Sequence, residues 1–331
     1  MVTRRRFLTG LFAGSLAATL ARAVPAGAAP RRKPNVVILF IDDLGYGDLG
    51  AFGCPDIPTP NMDSLAHRGV KCTNSYITNP PCSPSRCSLI MGMYGQRFGK
   101  YGMARGLSIP EDKHTLAEFM RDAGYVTGMI GKWDIGSASQ TPMACGFMEV
   151  ARQAPAKDKR RYVCILHDGS EGWRTEVEGD MMVDFVERNH DKPFFLYFSP
   201  YAIHSPSSET PERLRERSHA TGRRRALAGA LISVDDQVGK LLAALKMHGL
   251  EEGTCILLTG DNGPNLREQG RPDPYRGGKG PGTQQEGWVH TPTIISFPGT
   301  IPEGKTYEGL MCTLDFYATA AALAGKAPPT H

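Results

Sequence analysis

Five short apolar runs, separated by segments of helical character, are the feature that most limits how this chain can fold. The first run, at 35–41, is apolar from Val36 onwards and rich in β-branched residues, as expected for a strand covered on both faces. The other four lie at 126–130, 194–198, 255–259 and 293–297. This alternation predicts an α/β fold with a mainly parallel central sheet and helices on both faces.

Two segments between the runs carry helix signals. The pair Thr59-Pro60 predicts a helix capped by Thr59, with Met62 and Leu65 on its buried face. Between 227 and 245, apolar residues recur at intervals of four and three, which is the spacing of one helix face. Ligands of a doubly covered parallel sheet bind beyond the carboxyl ends of its strands. Polar residues that follow the predicted strands are therefore the candidates for a functional site.

The first 29 residues resemble an export signal. Three arginines at 4–6 precede an apolar run at 11–20, which is far shorter than the ~20 residues that span a bilayer. Candidate A-x-A cleavage sites follow at 21–23 and 26–28. The paired arginines resemble those of a twin-arginine signal, which implies a bacterial protein that is periplasmic or secreted and has no stable membrane anchor. The alternative, a basic tail, leaves the apolar run unexplained.

Composition excludes several classes of protein. The chain has 331 residues, of which 40% are hydrophobic and 22% charged, so a disordered protein is excluded. Its net charge of +4 comes from four arginines in the first 30 residues, and the rest is balanced at 34 basic and 34 acidic residues. We therefore expect no nucleic-acid partner. The eight cysteines form no C-x-x-C pair, and most are expected to be small buried side chains.

Acidic residues follow two of the predicted strands. Asp42 and Asp43 end the first run, and Asp261 and Asn262 follow the run at 255–259. Carboxylate and amide oxygens are hard ligands that suit Ca²⁺ or Mg²⁺ and do not suit zinc. Asp-Gly and Asn-Gly sequences also form turns, but two adjacent carboxylates at a strand end need a reason to persist. The pattern predicts a divalent cation site.

A cysteine lies beside a predicted helix start at 80–92. Ser83 is the predicted cap and Pro84 the predicted first residue, so Cys82 comes just before the helix. The N-terminus of a helix favours an anion, and Arg86 is one turn into the same helix, where it is placed to bind that anion bidentately. Taken alone, a cysteine at a helix start is more often structural or a thiolate nucleophile.

Five motifs in chain order resemble the type I sulfatases of the alkaline phosphatase superfamily. At the core, the C-x-P-S-R sequence of Cys82 to Arg86 resembles the site at which the family's cysteine is oxidised to Cα-formylglycine. The resemblance implies that this aldehyde is hydrated and that one of its hydroxyls attacks sulfur. It also implies a formylglycine-generating enzyme as a maturation partner, in addition to the export machinery that the segment at 1–29 implies. The other four motifs lie at 34–48, 124–133, 259–263 and 276–280.

Position by position, the resemblance implies a role for each candidate residue. Arg86 would fix the hydrated aldehyde. Lys132 and Lys279 would bind the sulfate oxygens, and His204 would bind or protonate the leaving-group oxygen. Ca²⁺, with Mg²⁺ as the alternative, would lie beside the modified Cys82 and be held by four oxygen donors, namely Asp42, Asp43, Asp261 and Asn262.

Two features depart from the family pattern. Asp134 follows Trp133 where the family usually has a histidine that assists sulfate release, so the Asp134 carboxylate becomes the candidate proton acceptor. The segment 315–325 resembles the end of the family's large domain, after which a smaller subdomain usually follows. We therefore expect 34–331 to be a sulfatase catalytic domain that is either C-terminally truncated or minimal.

These observations predict an exported, Ca²⁺-dependent hydrolase of sulfate monoesters, with carbohydrate or aryl sulfates as substrates. A phosphodiester or phosphonate monoester hydrolase is the first alternative, because the same metal and nucleophile serve a tetrahedral phosphorus centre. A catalytically impaired protein that binds sulfated glycans is the second, because Asp134 replaces the usual histidine and the usual C-terminal subdomain is missing.

Overall fold

The computed structural model describes residues 32–103, 108–151, 162–166, 168–205, 209–280 and 282–327. The predicted export signal at 1–29 lies outside these residues. The strands are β1 Asn35–Ile41, β2 Gly69–Cys72, β3 Ser75–Tyr76, β4 Val126–Gly131, β5 Glu149–Ala151, β6 Val163–Ile165, β7 Glu171–Trp173, β8 Phe194–Ser199, β9 Thr254–Gly260, β10 Thr293–Ser296, β11 Lys305–Tyr307 and β12 Met311–Cys312. The helices are α1 Pro60–His67, α2 Cys82–Met91, α3 Leu116–Asp122, α4 Arg174–Asn189, α5 Glu212–Arg215, α6 Arg224–Met247, α7 Glu286–Val289 and α8 Leu314–Leu323.

The described strands form one large sheet of eight members in the order β11-β2-β10-β9-β1-β8-β4-β5. β10 runs antiparallel to both of its neighbours, and the other described strands of this sheet share one direction. All five predicted strands form, each within one residue of its predicted ends. The predicted α/β fold with a mainly parallel sheet is confirmed.

Two hydrophobic cores cover the two faces of this sheet. β1 is buried along its whole length, and its side chains alternate between the cores. Val37, Leu39 and Ile41 pack with residues of α1, α4 and α6, whereas Val36, Ile38 and Phe40 pack with residues of α2, α3 and α8. A continuously apolar strand is therefore required at this position, because both of its faces lie in a core.

Helix α1 forms as predicted, but its N-terminus is capped by a residue of α6. Thr59 is the N-cap residue and Pro60 the first residue of the helix, as predicted, but the Thr59 hydroxyl donates to the Asp63 carboxylate at 3.1 Å and caps no amide of the helix. Asp235 of α6, which is 2% exposed, accepts hydrogen bonds from the backbone N–H groups of Asn61 at 3.2 Å and Met62 at 2.8 Å. This buried carboxylate binds α1 to the core.

Replacement of Asp235 by alanine should lower the free energy of unfolding by about 1–3 kcal/mol. The variant leaves the buried amide of Met62 and the half-buried amide of Asn61 without this acceptor. Urea denaturation measures the change. Asp236→Ala is the matched control, because Asp236 pairs with Arg217 at the surface, where such pairs contribute about 0–1 kcal/mol. Equal losses in the two variants would contradict the capping role.

All eight cysteines are free thiols, and six of them are buried. This agrees with the prediction that most of them are small apolar side chains. In the described part of the chain, no helix combines the length and the apolar character needed to cross a membrane.

Candidate active site

The acidic residues that follow β1 and β9 lie together because these strands are neighbours in the sheet. Asp42, Asp43, Asp261 and Asn262 are all fully buried. The backbone N–H of Asp43 donates to Asp261 Oδ1 at 3.1 Å, and Asn262 Nδ2 donates to Asp43 Oδ1 at 2.7 Å. Asp43 adopts a left-handed backbone conformation with φ of 57°, which aspartate tolerates better than most residues. The predicted convergence of the two strand ends is present.

Three buried oxygen atoms in this group have no hydrogen-bond partner among the described residues, namely Asp42 Oδ1, Asp43 Oδ2 and Asn262 Oδ1. Ligand atoms of Asp42, Cys82 and Asp261 all lie within 4.8 Å of one another, and the same holds for Asp42, Asp43 and His204. Buried carboxylate oxygens without partners are unfavourable, and a hard cation would satisfy them. The donor set therefore fits Ca²⁺ or Mg²⁺.

Two lysines lie against these carboxylates. Lys132 Nζ is 2.5 Å from Asp42 Oδ2, and Lys279 Nζ is 2.7 Å from Asp43 Oδ1. Burial favours the neutral form of each lysine, but the neighbouring carboxylates outweigh it and raise both pKa values above their usual range. Both ammonium groups therefore stay charged, and they place two positive charges at the carboxyl edge of the sheet.

The carboxylates compete for this positive charge. Burial and the Asp42 carboxylate raise the pKa of Asp261 to about 7, although Arg86 opposes the shift. Burial also raises the pKa of Asp42, but the charge of Lys132, together with those of other nearby basic groups, outweighs burial and holds this pKa well below its usual range. A divalent cation near both groups would favour the ionised form of each.

Helix α2 begins two residues earlier than we predicted from the helix-start signals. Cys82 is its first residue, Pro81 precedes it, and the Pro81 carbonyl accepts a hydrogen bond from the Ser85 N–H at 3.2 Å. Ser83 therefore lies inside the first turn, so the prediction that Ser83 is the cap and Pro84 the first helical residue was wrong. Cys82 still lies at the helix N-terminus, where we expected it.

Arg86 is fully buried and connects α2 to three strand ends. Its Nε and Nη2 donate to Asp261 Oδ2 at 3.0 and 2.6 Å. Its Nη1 donates to the Lys132 carbonyl at 3.2 Å and to Ser199 Oγ at 2.5 Å. These contacts hold Asp261 and the Lys132 backbone in place. Whether Arg86 also fixes an aldehyde at residue 82 stays a prediction.

Cys82 is 3% exposed and lies between an acidic and an apolar side chain. Its thiol donates to Asp134 Oδ2 at 3.6 Å, and Met103 Sδ lies 4.0 Å from its sulfur. Burial, followed by the charges of Asp42 and Asp261, raises the pKa of the Cys82 thiol to about 12. The unmodified thiol is therefore protonated at neutral pH, which does not suit a thiolate nucleophile.

Asp134 and His204 complete the set of predicted residues. Lys132 Nζ lies 3.9 Å from Asp134 Oδ2, and the Asp134 side chain is 41% exposed, so it is in contact with solvent. His204 follows β8, and its Nδ1 is buried with no hydrogen-bond partner among the described residues. The adjacent Ile203 N–H donates to the Asp42 carbonyl at 3.3 Å, which connects this loop to the end of β1. The structure thus brings every predicted site residue to one edge of the sheet.

Two aromatic side chains that the sequence patterns did not predict, Tyr162 and Tyr201, lie beside this site and form what we call the aromatic wall. The Tyr201 ring has Lys132 Nζ 5.8 Å from its centroid and Arg174 Cζ at 4.3 Å, and the Tyr162 ring meets it at 5.9 Å. The Met103 contact with Cys82 was not predicted either. These residues come from separate segments and share no local spacing, so the sequence carried no signal for them.

The model of a family described as Sulfatase matches residues 34–326. The chain belongs to the sulfatase family. It is 33% identical to human arylsulfatase A over 355 residues, which cover 94% of this chain and 68% of that protein. It is 32% identical over 345 residues to N-acetylgalactosamine-6-sulfatase of Canis lupus familiaris, covering 92% of this chain and 65% of that enzyme. The sulfatase-family chain thus spans about two thirds of the length of these relatives.

A solved structure of Ps i-CgsB in complex with k-i-k-neocarrahexaose has the same fold. It superposes with a TM-score of 0.78 at 27% sequence identity, covering 91% of this sulfatase-family chain and 73% of that chain. These matches confirm the resemblance to sulfatases of the alkaline phosphatase superfamily that the five motifs indicated.

Proposed function

We propose that this chain is a sulfuric ester hydrolase that cleaves sulfate monoesters through a formylglycine made from Cys82, with Ca²⁺. The observation that carries the proposal is the position of Cys82. Its sulfur lies within 4.8 Å of carboxylate oxygens of both Asp42 and Asp261, at the edge of the sheet where Lys132 and Lys279 also lie. A structural cysteine behaves as a small apolar side chain and is not expected among buried carboxylates and ammonium groups.

The residues of the chain support sulfuryl transfer in a definite way. A hydrated aldehyde at residue 82 would supply an oxygen nucleophile, and a Ca²⁺ ion, which Asp42, Asp43, Asp261 and Asn262 would hold, would supply positive charge. Sulfuryl transfer spreads negative charge over the equatorial oxygens of sulfur, and donors fixed in advance stabilise that charge. Lys132 and Lys279 are such donors, because their carboxylate partners hold both ammonium groups in place.

In this proposal His204 donates a proton and Asp134 accepts one. As a hydroxyl oxygen at residue 82 bonds to sulfur, its proton would pass to a neighbouring carboxylate, the bond from sulfur to the leaving oxygen would break, and His204 would donate a proton to that oxygen. The buried Nδ1 of His204 has no described partner that competes for this role. Asp134, whose carboxylate contacts the residue-82 side chain, accepts the proton when sulfate is released.

Asp134→Asn should slow sulfate release more than the first cleavage. Asparagine keeps the size of the side chain but accepts no proton at neutral pH. With an aryl sulfate, we expect a rapid burst of phenol followed by a slow steady state, measured by stopped-flow absorbance. Asp134→His restores the family's usual residue and should show no burst. A faster Asn variant without a burst, together with a more active His variant, would indicate instead that Asp134 impairs the site.

Carbohydrate sulfates are the substrate class that we favour. The names of the relatives include an N-acetylgalactosamine-6-sulfatase and an arylsulfatase, and the solved structure of Ps i-CgsB contains k-i-k-neocarrahexaose. The segment at 1–29 supports export by the twin-arginine route to the periplasm or the medium, with conversion of Cys82 by a formylglycine-generating enzyme during maturation.

Turnover of an aryl sulfate compared with an aryl phosphate diester tests the proposal. The full chain should be produced with a formylglycine-generating enzyme, and conversion of Cys82 confirmed by mass spectrometry. We expect the sulfate to be hydrolysed far faster than the diester. A preference for the diester would indicate that the chain is instead a phosphodiester or phosphonate monoester hydrolase. Binding of a sulfated sugar without turnover, after confirmed conversion, would indicate the impaired binding protein.

A further inference from the structure

Tyr162 is held rigidly beside the site, immediately before β6. It is fully buried, and its ring stacks on Trp173 with centroids 5.3 Å apart and meets Tyr201 edge-on at 5.9 Å. Its backbone is held as well, since its N–H donates to Glu209 Oε2 at 2.7 Å and its carbonyl accepts from the Arg174 N–H at 2.7 Å. The position of the phenol is therefore determined by packing and by backbone hydrogen bonds.

The hydroxyl of Tyr162 has no hydrogen-bond partner among the described residues, although it is buried. A buried polar group without a partner costs about 1–3 kcal/mol, and native structures leave few of them. Its ring is fixed from two sides, so the hydroxyl cannot turn outwards to find water. The hydroxyl therefore keeps its hydrogen-bonding capacity unused, and its location in the fold decides whether a ligand can use it.

The ring contacts of Tyr162 connect it to residues of the candidate active site. Tyr201, which its ring contacts, also lies beside Lys132 and has its ring 6.3 Å from that of His204. Burial, followed by the charges of Asp42 and Asp43, raises the pKa of Tyr162 well above its usual range. The phenol therefore stays protonated and serves as a hydrogen-bond donor.

We propose that the Tyr162 hydroxyl donates a hydrogen bond to an oxygen of the sulfate group bound beside Lys132 and His204. The inference rests on the proposed function, because it requires an anion at this position. A sulfate oxygen is a strong acceptor for such a donor, whereas a neutral phenol is not among the usual ligands of a hard cation. Tyr162 then acts as a further binding residue for the transferred group.

Tyr162→Phe tests this directly, because it removes the hydroxyl and keeps the ring. In the absence of sulfate the melting temperature should not fall, since no hydrogen bond is lost. The dissociation constant of inorganic sulfate, measured by calorimetry on the converted protein with saturating Ca²⁺, should rise about tenfold or more. Tyr125→Phe is the matched control. The Tyr125 hydroxyl is also buried without a described partner, but Tyr125 precedes β4, at the opposite edge of the sheet. This control should change neither the melting temperature nor sulfate binding.

Lys132→Met separates this inference from the proposed function. If the wild-type protein binds no sulfate, or if Lys132→Met leaves sulfate affinity unchanged, the proposed function fails and this inference fails with it. If Lys132→Met weakens sulfate binding but Tyr162→Phe does not, only the role of Tyr162 is overturned. A lower melting temperature or a weaker Ca²⁺ affinity in Tyr162→Phe, with unchanged sulfate binding, would also overturn it.

Discussion

Replacement of Cys82 by alanine is expected to abolish hydrolysis of sulfate esters while the protein stays folded. The variant removes the side chain that we propose as the source of the nucleophile, and loss of a nucleophile lowers kcat by about 10⁴-fold or more. The cost to the fold should be small, because the hydrogen bonds described for the Cys82 thiol are weak contacts to Asp134 and Met103. Initial rates with an aryl sulfate and thermal denaturation measure the two effects.

Cys87→Ala is the matched control for this prediction. Cys87 lies in the same helix and is fully buried in one of the two cores, so its replacement should lower the melting temperature at least as much as Cys82→Ala. Its activity, once the smaller stability is allowed for, should stay close to that of the wild type. Cys82→Ser should be inactive unless the host has a maturase that accepts serine. A Cys82→Ala protein with the wild-type rate would refute the formylglycine assignment.

Removal of divalent cations is expected to lower both activity and stability, and Ca²⁺ should restore them. Buried oxygens of Asp42, Asp43 and Asn262 have no hydrogen-bond partner among the described residues, which is unfavourable without a cation. A cation at about one hundred times its dissociation constant stabilises the folded state by about 2.7 kcal/mol. Thermal denaturation and aryl sulfate turnover, each with chelator and with added Ca²⁺ or Mg²⁺, distinguish the two ions.

Asp43→Asn tests whether the cation acts at this cluster. Asparagine keeps the shape of the side chain but removes one negative charge, so Ca²⁺ should raise the melting temperature of this variant less than that of the wild type. Asp236→Asn, at the surface beside Arg217, should respond to Ca²⁺ as the wild type does. If elemental analysis found no metal and a chelator changed neither activity nor melting temperature, the cation site would be refuted. Asp42, Asp43, Asp261 and Asn262 would then only form turns at the strand ends.

The strands of this fold were predictable because each carries its signal locally. The run at 35–41 is apolar at every position from Val36 onwards, which is expected for a strand with a core on each face, and the structure places it between two cores. The residues at the strand ends were predictable for a related reason. Parallel strands present their carboxyl ends at one edge of a sheet, so Asp42 and Asp261 were expected to lie near each other once both strands had been identified.

The capping of helix α1 and the hydrogen-bond partners of Arg86 were not predictable in this way. Thr59 has the residue type of a cap, yet Asp235 caps the helix across 174 residues of sequence. Arg86 has the motif position of an anion-binding residue, yet its described hydrogen bonds go to Asp261 and to other protein groups. In both cases a partner far along the chain competes with the local one, and the packed core decides between them.

The sequence by itself thus determined the order and burial of the strands, the family of the chain and the residues at the strand ends, because each of these depends on neighbouring positions. Only the tertiary structure decided which groups bind which. The Asp235 cap, the Arg86 contacts with Asp261 and the aromatic wall of Tyr162 and Tyr201 join segments far apart in the chain. Hydrogen bonds and ring contacts of this kind depend on distance in space, and they leave no periodicity in the sequence that would indicate them.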